Sequence, residues 1–240
     1  MIRKSRLAPT TLARVIKLLT AASTLVVAGQ AQAQLYWRAD VGFSFSTGAN
    51  IHDKNFALDG QICGDAACAT AGKINDAGNS AVLSAGVGWQ FSPNLRADAT
   101  VAYRGWYKED KTMPDGTNFK ADVKSWNVMA NGYYDFPFGW GTPYVGAGLG
   151  WATNRIGGIS GTLQAPGGTK SGLAWALMAG VAVPISSVYL QSLEFGYRYI
   201  DLGELATDSG PLTGGTTSTY SGATGKLKAN ELMMGWRWRF

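Results

Sequence analysis

Histidine occurs once in this 240-residue chain and cysteine twice. Beyond the N-terminal region there is no apolar run of the about 18 residues that a membrane-crossing helix needs. Each shortage excludes something. Without such runs the chain is not a helical membrane protein. The lone His52 has no Gly-x-Ser-x-Gly element beside it, so hydrolysis built on a histidine base lacks its parts. No catalytic residue is expected, and the chain is read as a non-enzyme. Cys63 and Cys68 form one short-range pair, which in an exported protein suggests a disulfide closing a small loop. A metal site would want more ligands than these and His52, so neither a metal nor a cofactor is expected.

Net positive charge is also scarcer than it looks. The chain has 21 basic and 16 acidic residues. Arg3, Lys4, Arg6, Arg14 and Lys17 precede an apolar stretch from about Leu18 to Ala28, and Ala31-Gln32-Ala33 follows. That order of basic, apolar and A-x-A segments reads as a secretory signal peptide. Residues 1–33 are expected to be removed, with Ala31 as the alternative cleavage point. The five basic residues leave with it, so the remainder carries 16 charges of each sign. The basic balance then belongs to the precursor, and no nucleic-acid partner is implied.

What is abundant is alternation. Glu231 to Phe240 sets Leu232, Met234, Trp236, Trp238 and Phe240 against Glu231, Met233, Gly235, Arg237 and Arg239. A period of two places one set on each face of a strand. The pattern occurs eight times, in runs starting near Trp37, Leu83, Leu95, Trp126, Val145, Leu173, Leu193 and Leu232. Glycine, at 32 residues, is about twice its usual share of roughly 7%, which fits a tightly packed, turn-rich β protein.

The connections alternate in length as well. Three are short, near 92–94, 137–141 and 184–187; four are long, near 47–79, 106–121, 153–170 and 204–224. Short turns on one side and long loops on the other are the habit of a transmembrane barrel. The fold class is therefore all-β: an eight-stranded antiparallel up-and-down transmembrane β-barrel spanning residues 34–240. Arg38, Asp40, Arg96, Asp98, Arg104, Asp135, Glu194, Arg198, Glu231, Arg237 and Arg239 all fall opposite the apolar face. An Arg or Lys facing mid-bilayer lipid costs about 2–4 kcal/mol, so this face should point into the barrel. Trp37, Trp89, Phe91, Phe136, Trp238 and Phe240 would form one interfacial belt, and Tyr103, Trp126, Trp151, Trp175 and Tyr199 the other. A soluble lipocalin-type barrel or a β-sandwich also has many strands. The first leaves the strand-end aromatics unexplained, and the second does not explain the alternating connections.

Buried charges need partners. Antiparallel geometry should bring Arg198 to Glu231, Glu194 to Arg237, and Arg96 to Asp135, filling a lumen that eight strands leave just wide enough for side chains. Inward Gly146, Gly148, Gly150, Gly180, Gly196 and Gly235 would make room for Arg, Tyr and Met. The Gly146-x-Gly148-x-Gly150 spacing follows the strand period rather than a phosphate loop. Removing Glu231 or Arg198 alone should destabilise the barrel more than removing both.

Several segments carry a family resemblance. They are Ser92-Pro93-Asn94-Leu95-Arg96, Asn131-Gly132-Tyr133-Tyr134-Asp135-Phe136, Pro143-Tyr144-Val145-Gly146-Ala147-Gly148, Tyr197-Arg198-Tyr199-Ile200-Asp201-Leu202-Gly203 and Asn230-Glu231-Leu232-Met233-Met234-Gly235. With these the chain resembles the small outer-membrane barrels of the opacity and outer membrane protein A type, in the porin-like variety common in alphaproteobacteria. Trp236, Trp238 and the final Phe240 resemble the signal read by the barrel-insertion machinery. The resemblance implies Sec-type export to the outer membrane of a Gram-negative bacterium, with periplasmic chaperones on the way. It also implies a structural and surface role, with outer-membrane lipids and lipopolysaccharide as surroundings. Host or cell-surface partners would meet the four long loops. The alternatives are a narrow porin-like channel for small solutes or ions and, further off, a lipid-modifying enzyme. No cell-wall-binding domain is expected after the barrel.

Overall fold

The computed structural model describes residues 34–48, 52–53, 79–112, 118–158, 160–161, 164, 166–186, 190–211 and 219–240. Eight long strands dominate: β1 (Gln34–Gly48), β2 (Asn79–Gln90), β3 (Leu95–Thr112), β4 (Asn118–Asp135), β5 (Thr142–Ile156), β6 (Gly168–Ser186), β7 (Gln191–Ala206) and β8 (Ala223–Arg239). Each pairs antiparallel with its chain neighbour, and β8 pairs with β1 to close the cylinder. There is no helix among the described residues.

The pairing register fixes the barrel's shape. Cα partners run from Leu35 through Trp89, Ala97, Gly132, Ala147, Leu177, Tyr199 and Asn230, and return to β1 at Phe45. The circuit has climbed ten residues along β1. Eight strands with that stagger tilt by about 40° and enclose an interior only as wide as side chains can fill.

The period of two sorts residues between the two faces. Phe43 is 65% exposed, Leu83 59%, Leu149 61% and Leu173 64%, whereas Arg96, Arg104 and Glu231 are fully buried inside. An oily exterior around an ionic interior inverts a water-soluble protein and suits a bilayer. Among the described residues outward charges occur only toward the long connections, where Asp122, Lys124, Arg155, Glu204 and Lys226 are exposed.

Two features depart from the sequence expectation. Residues 106–121 were expected to form a loop, yet β3 runs to Thr112 and β4 resumes at Asn118, paired from Tyr107↔Val123 to Thr112↔Asn118. Strands likewise reach into 153–170 and 204–224. Beyond the bilayer both faces of a hairpin meet water, so alternation fades from the sequence while backbone pairing continues.

The second departure lies inside. Toward the outer end the lumen wall turns apolar, and Val123, Met129, Ile156, Ile200, Leu202, Leu205 and Leu227 cluster there. Gly203 makes this possible. Its φ of 79° is a left-handed backbone open to glycine, and there the alternation slips so that Leu202 and Leu205 both point inward. Asn154 Nδ2 secures the slip by donating to the carbonyls of Leu202 at 2.8 Å and Glu204 at 3.1 Å.

Candidate functional site

Polar side chains converge in the lumen, whose inner face is set by the strands just described. Nearest the short turns lies a cluster built on Arg38, Arg96 and Arg237. Arg38 Nη2 meets Asp40 at 2.7 Å and Glu194 at 3.3 Å, while its Nη1 meets Asp98 at 3.2 Å. Arg96 Nε lies 3.1 Å from Asp135, and Arg237 Nε lies 3.1 Å from Glu194. Glu194 is thus approached by three guanidiniums, since Arg96 Nη1 stands 3.5 Å away.

Tyrosines complete this layer. Tyr36 donates to Asp98 at 3.1 Å, and Arg38 Nη1 donates to the Tyr133 hydroxyl at 3.0 Å. The Arg96 guanidinium sits 4.0 Å from the Tyr133 ring centre and 4.8 Å from that of Tyr144, close enough for cation–π attraction. Glycines opposite supply the space. A Cβ on Gly88 would come 2.5 Å from the Tyr36 ring, one on Gly146 2.5 Å from the Tyr133 ring, and one on Gly196 2.6 Å from the Tyr144 hydroxyl.

Farther out lies a second cluster. Glu231 receives Arg104 Nε on one oxygen and Arg198 Nε on the other, each at 2.5 Å. Arg104 Nη1 also donates to Asn127. Between the two clusters is a cavity of about 20 Å³, bordered by Arg38, Asp40, Tyr133, Met178, Arg198 and Met233. That is room for roughly one water. Above the second cluster come the apolar side chains around Leu202.

All six residues assigned to lumen pairs are buried inside the barrel, and the structure joins them as Arg198–Glu231, Glu194–Arg237 and Arg96–Asp135. Sequence reasoning expected inward tyrosines but did not single out Tyr36 and Tyr133, and it missed the contacts of Arg38 and Arg104 with strands they do not adjoin. Arg239 sits apart at the lumen's near mouth, where its Nη1 reaches Gln90 at 3.4 Å. Trp236, Trp238 and Phe240 all face outward, and Trp37, Trp238 and Phe240 stack with ring centres 5.5 to 6.5 Å apart. Cys63 and Cys68 lie outside the described residues, as do residues 1–33. His52 is described only in its backbone, where it pairs with Thr224. Among the described residues no group of three or more His, Cys, Asp or Glu is arranged to hold a metal ion.

Comparison with known proteins adds to this picture. Residues 18–240 match the family described as Outer membrane protein beta-barrel domain. Among solved structures the chain is similar to Neisserial surface protein A, with 16% identity, a TM-score of 0.54, and 86% of this chain and 97% of that one covered. The N-terminal β-barrel domain of Pseudomonas aeruginosa OprF aligns at 13% identity and TM-score 0.42, over 87% and 100% of the two chains. Ail of Yersinia pestis aligns at 12% identity and TM-score 0.43, over 85% and 98%. No curated protein sequence matches the chain. At this identity the likeness to Neisserial surface protein A speaks for the fold alone.

Proposed function

This chain belongs to the outer membrane protein beta-barrel domain family, and on that footing we propose that it serves the outer membrane as a closed, non-conducting barrel. In this reading it supports the envelope mechanically and offers its outer connections, 47–79, 106–121, 153–170 and 204–224, to lipopolysaccharide or to cell-surface partners. It is not an enzyme in this reading.

One observation carries the proposal. Across the lumen, five arginines and five carboxylates interlock around a cavity of about 20 Å³. A hydrated ion cannot pass without displacing buried charges from their partners, and breaking a buried pair costs several kcal/mol. The apolar cluster around Leu202 and Leu227 favours the same reading, because it adds a dry layer on the outer side.

Planar-bilayer recording on the purified barrel tests this. The wild-type protein should give no conductance steps, whereas Arg38→Ala combined with Tyr133→Ala should open measurable ones. Steady conductance from the wild type would replace the plug with a narrow channel. Export belongs to the same proposal: cleavage after Ala33, then insertion guided by Trp236, Trp238 and Phe240. The intact mass of protein extracted from outer membranes checks the first step. Loss of assembly in Phe240→Ala checks the second.

A further inference from the structure

The outward face changes its chemistry row by row as it leaves the hydrocarbon region. On β4, β5 and β6 the partners Val128, Trp151 and Leu173 form one exposed row. Two residues closer to the long connections come Trp126, Thr153 and Ser171, and the hydroxyls of Thr153 and Ser171 share a 2.8 Å hydrogen bond. The next row is Lys124, Arg155 and Thr169, all exposed. Apolar, hydroxyl-bearing, then cationic is also the order in which a lipid presents acyl chain, sugar and phosphate.

The two cations have each other as neighbours. Lys124 and Arg155 are direct cross-strand partners, an arrangement that destabilises a bare sheet by like-charge repulsion. No carboxylate among the described residues lies within ion-pair distance of either. Two other lysines toward this end do have a carboxylate nearby: Lys170 lies 3.9 Å from Glu204, and the outward Lys228 lies 3.8 Å from Asp201. An anion from outside the protein would relieve the repulsion of such an outward-facing pair.

A second, independent feature adjoins the pair. A cavity of about 370 Å³ opens beside Arg155, lined also by Ile156, Thr169, Asp208 and the four glycines at 157, 158, 167 and 168. The Asp208 backbone N–H donates to the Gly167 carbonyl at 3.0 Å, which ties the segment after β7 to this rim. The volume is within the roughly 300–1,000 Å³ of small-ligand sites. Bare glycine backbone and the Thr169 hydroxyl can both donate and accept hydrogen bonds, and the Asp208 carboxylate can accept them from hydroxyl groups. Asp122 stands outward one row beyond Lys124 and is likewise exposed. With two carboxylates offsetting two cations, simple attraction of an anion is weak here. The arrangement favours a ligand that brings hydroxyls together with phosphate.

We propose that this rim binds the phosphorylated sugar headgroup of an outer-leaflet lipid. Lys124 and Arg155 hold the phosphate, Thr169, Asp208 and the glycine backbone hold the sugar, and Trp126 packs at the interface below. The inference rests on the outer-membrane reading above, which places this face against lipid.

The full barrel in phosphatidylcholine nanodiscs, titrated with diphosphorylated lipid A and read by native mass spectrometry, tests it. Parallel arms use dephosphorylated lipid A and phosphatidylglycerol. Each cation near an anionic headgroup contributes about fivefold in affinity. Lys124→Gln with Arg155→Gln should therefore weaken lipid A binding about thirtyfold, and Lys228→Gln should leave it unchanged. Dephosphorylated lipid A should bind the wild type as weakly as lipid A binds the double variant. Equal binding of lipid A to wild type and double variant overturns the site while leaving the membrane reading intact. Equal binding of phosphatidylglycerol and lipid A overturns the sugar contact. A chain that stays soluble and will not enter the disc overturns both readings.

Discussion

Arg104 on β3 and Glu231 on β8 stand on strands that do not touch, yet Arg104 Nε donates to Glu231 Oε1 across the lumen at 2.5 Å. Arg198, the direct cross-strand partner of Glu231, takes the other oxygen. Glu231 is therefore the centre of a three-residue bridge, and its two arginines are not equivalent.

That asymmetry changes what mutagenesis should report. Removing Arg198 leaves Glu231 one guanidinium, whereas removing the Glu231 charge leaves two guanidiniums buried without it. Glu231→Gln should cost about 3–5 kcal/mol, the range for breaking a buried ion pair from one side, and Arg198→Met should cost less. The paired change Glu231→Gln with Arg198→Met should recover only part of the loss, because Arg104 still lacks the carboxylate that faced its Nε. Adding Arg104→Met should recover more. Urea unfolding in lipid vesicles reads all four. Equal cost for the two single changes would show that Arg104 takes no share.

The sequence showed the pairs between neighbouring strands but not this bridge. Arg198–Glu231 and Arg96–Asp135 join strands adjacent in the chain, so antiparallel geometry alone brings them together. Arg104–Glu231 depends on the stagger accumulated around the whole wall, which no single hairpin reveals. The same holds for Arg38, whose contact with Asp40 is local while those with Asp98 and Glu194 cross the lumen. Strand number and facing were legible because the bilayer imposes a strong contrast between the two faces. Above the bilayer that contrast is absent, which is why the hairpin joining β3 and β4 extends through residues expected to be a loop. The slip at Gly203 was hidden for a related reason: strict alternation assigns Leu205 to the outside.

Gly196 gives a more local test. A methyl group there would sit 2.6 Å from the Tyr144 hydroxyl but 3.6 Å from its ring carbon Cζ. The clash is thus with the hydroxyl oxygen rather than the ring. Gly196→Ala should destabilise the barrel by about 1–3 kcal/mol, as overpacking does. Tyr144→Phe should relieve most of that penalty in the double variant. The midpoint of heat modification on a gel would track both. A penalty that persists in the double variant would point to strand geometry instead of the Tyr144 hydroxyl.

The outward face can be calibrated by depth with a single added charge. Leu177 lies in the middle of the apolar band and is 54% exposed. Ser171 lies on the same strand and the same face, six residues nearer the long connections, and already shares a hydroxyl hydrogen bond with Thr153. If the band spans the hydrocarbon, Leu177→Arg should cost about 2–4 kcal/mol and Ser171→Arg only about 0–1 kcal/mol. Met178, next to Leu177 but facing the lumen, supplies the control. A spin label there should escape quenching by lipid-dissolved oxygen, while one at Leu177 should not. Equal costs for the two arginines would place Ser171 as deep as Leu177. The rows from Leu173 to Thr169 would then lie wholly within hydrocarbon, and the headgroup site at Lys124 and Arg155 would lose its depth.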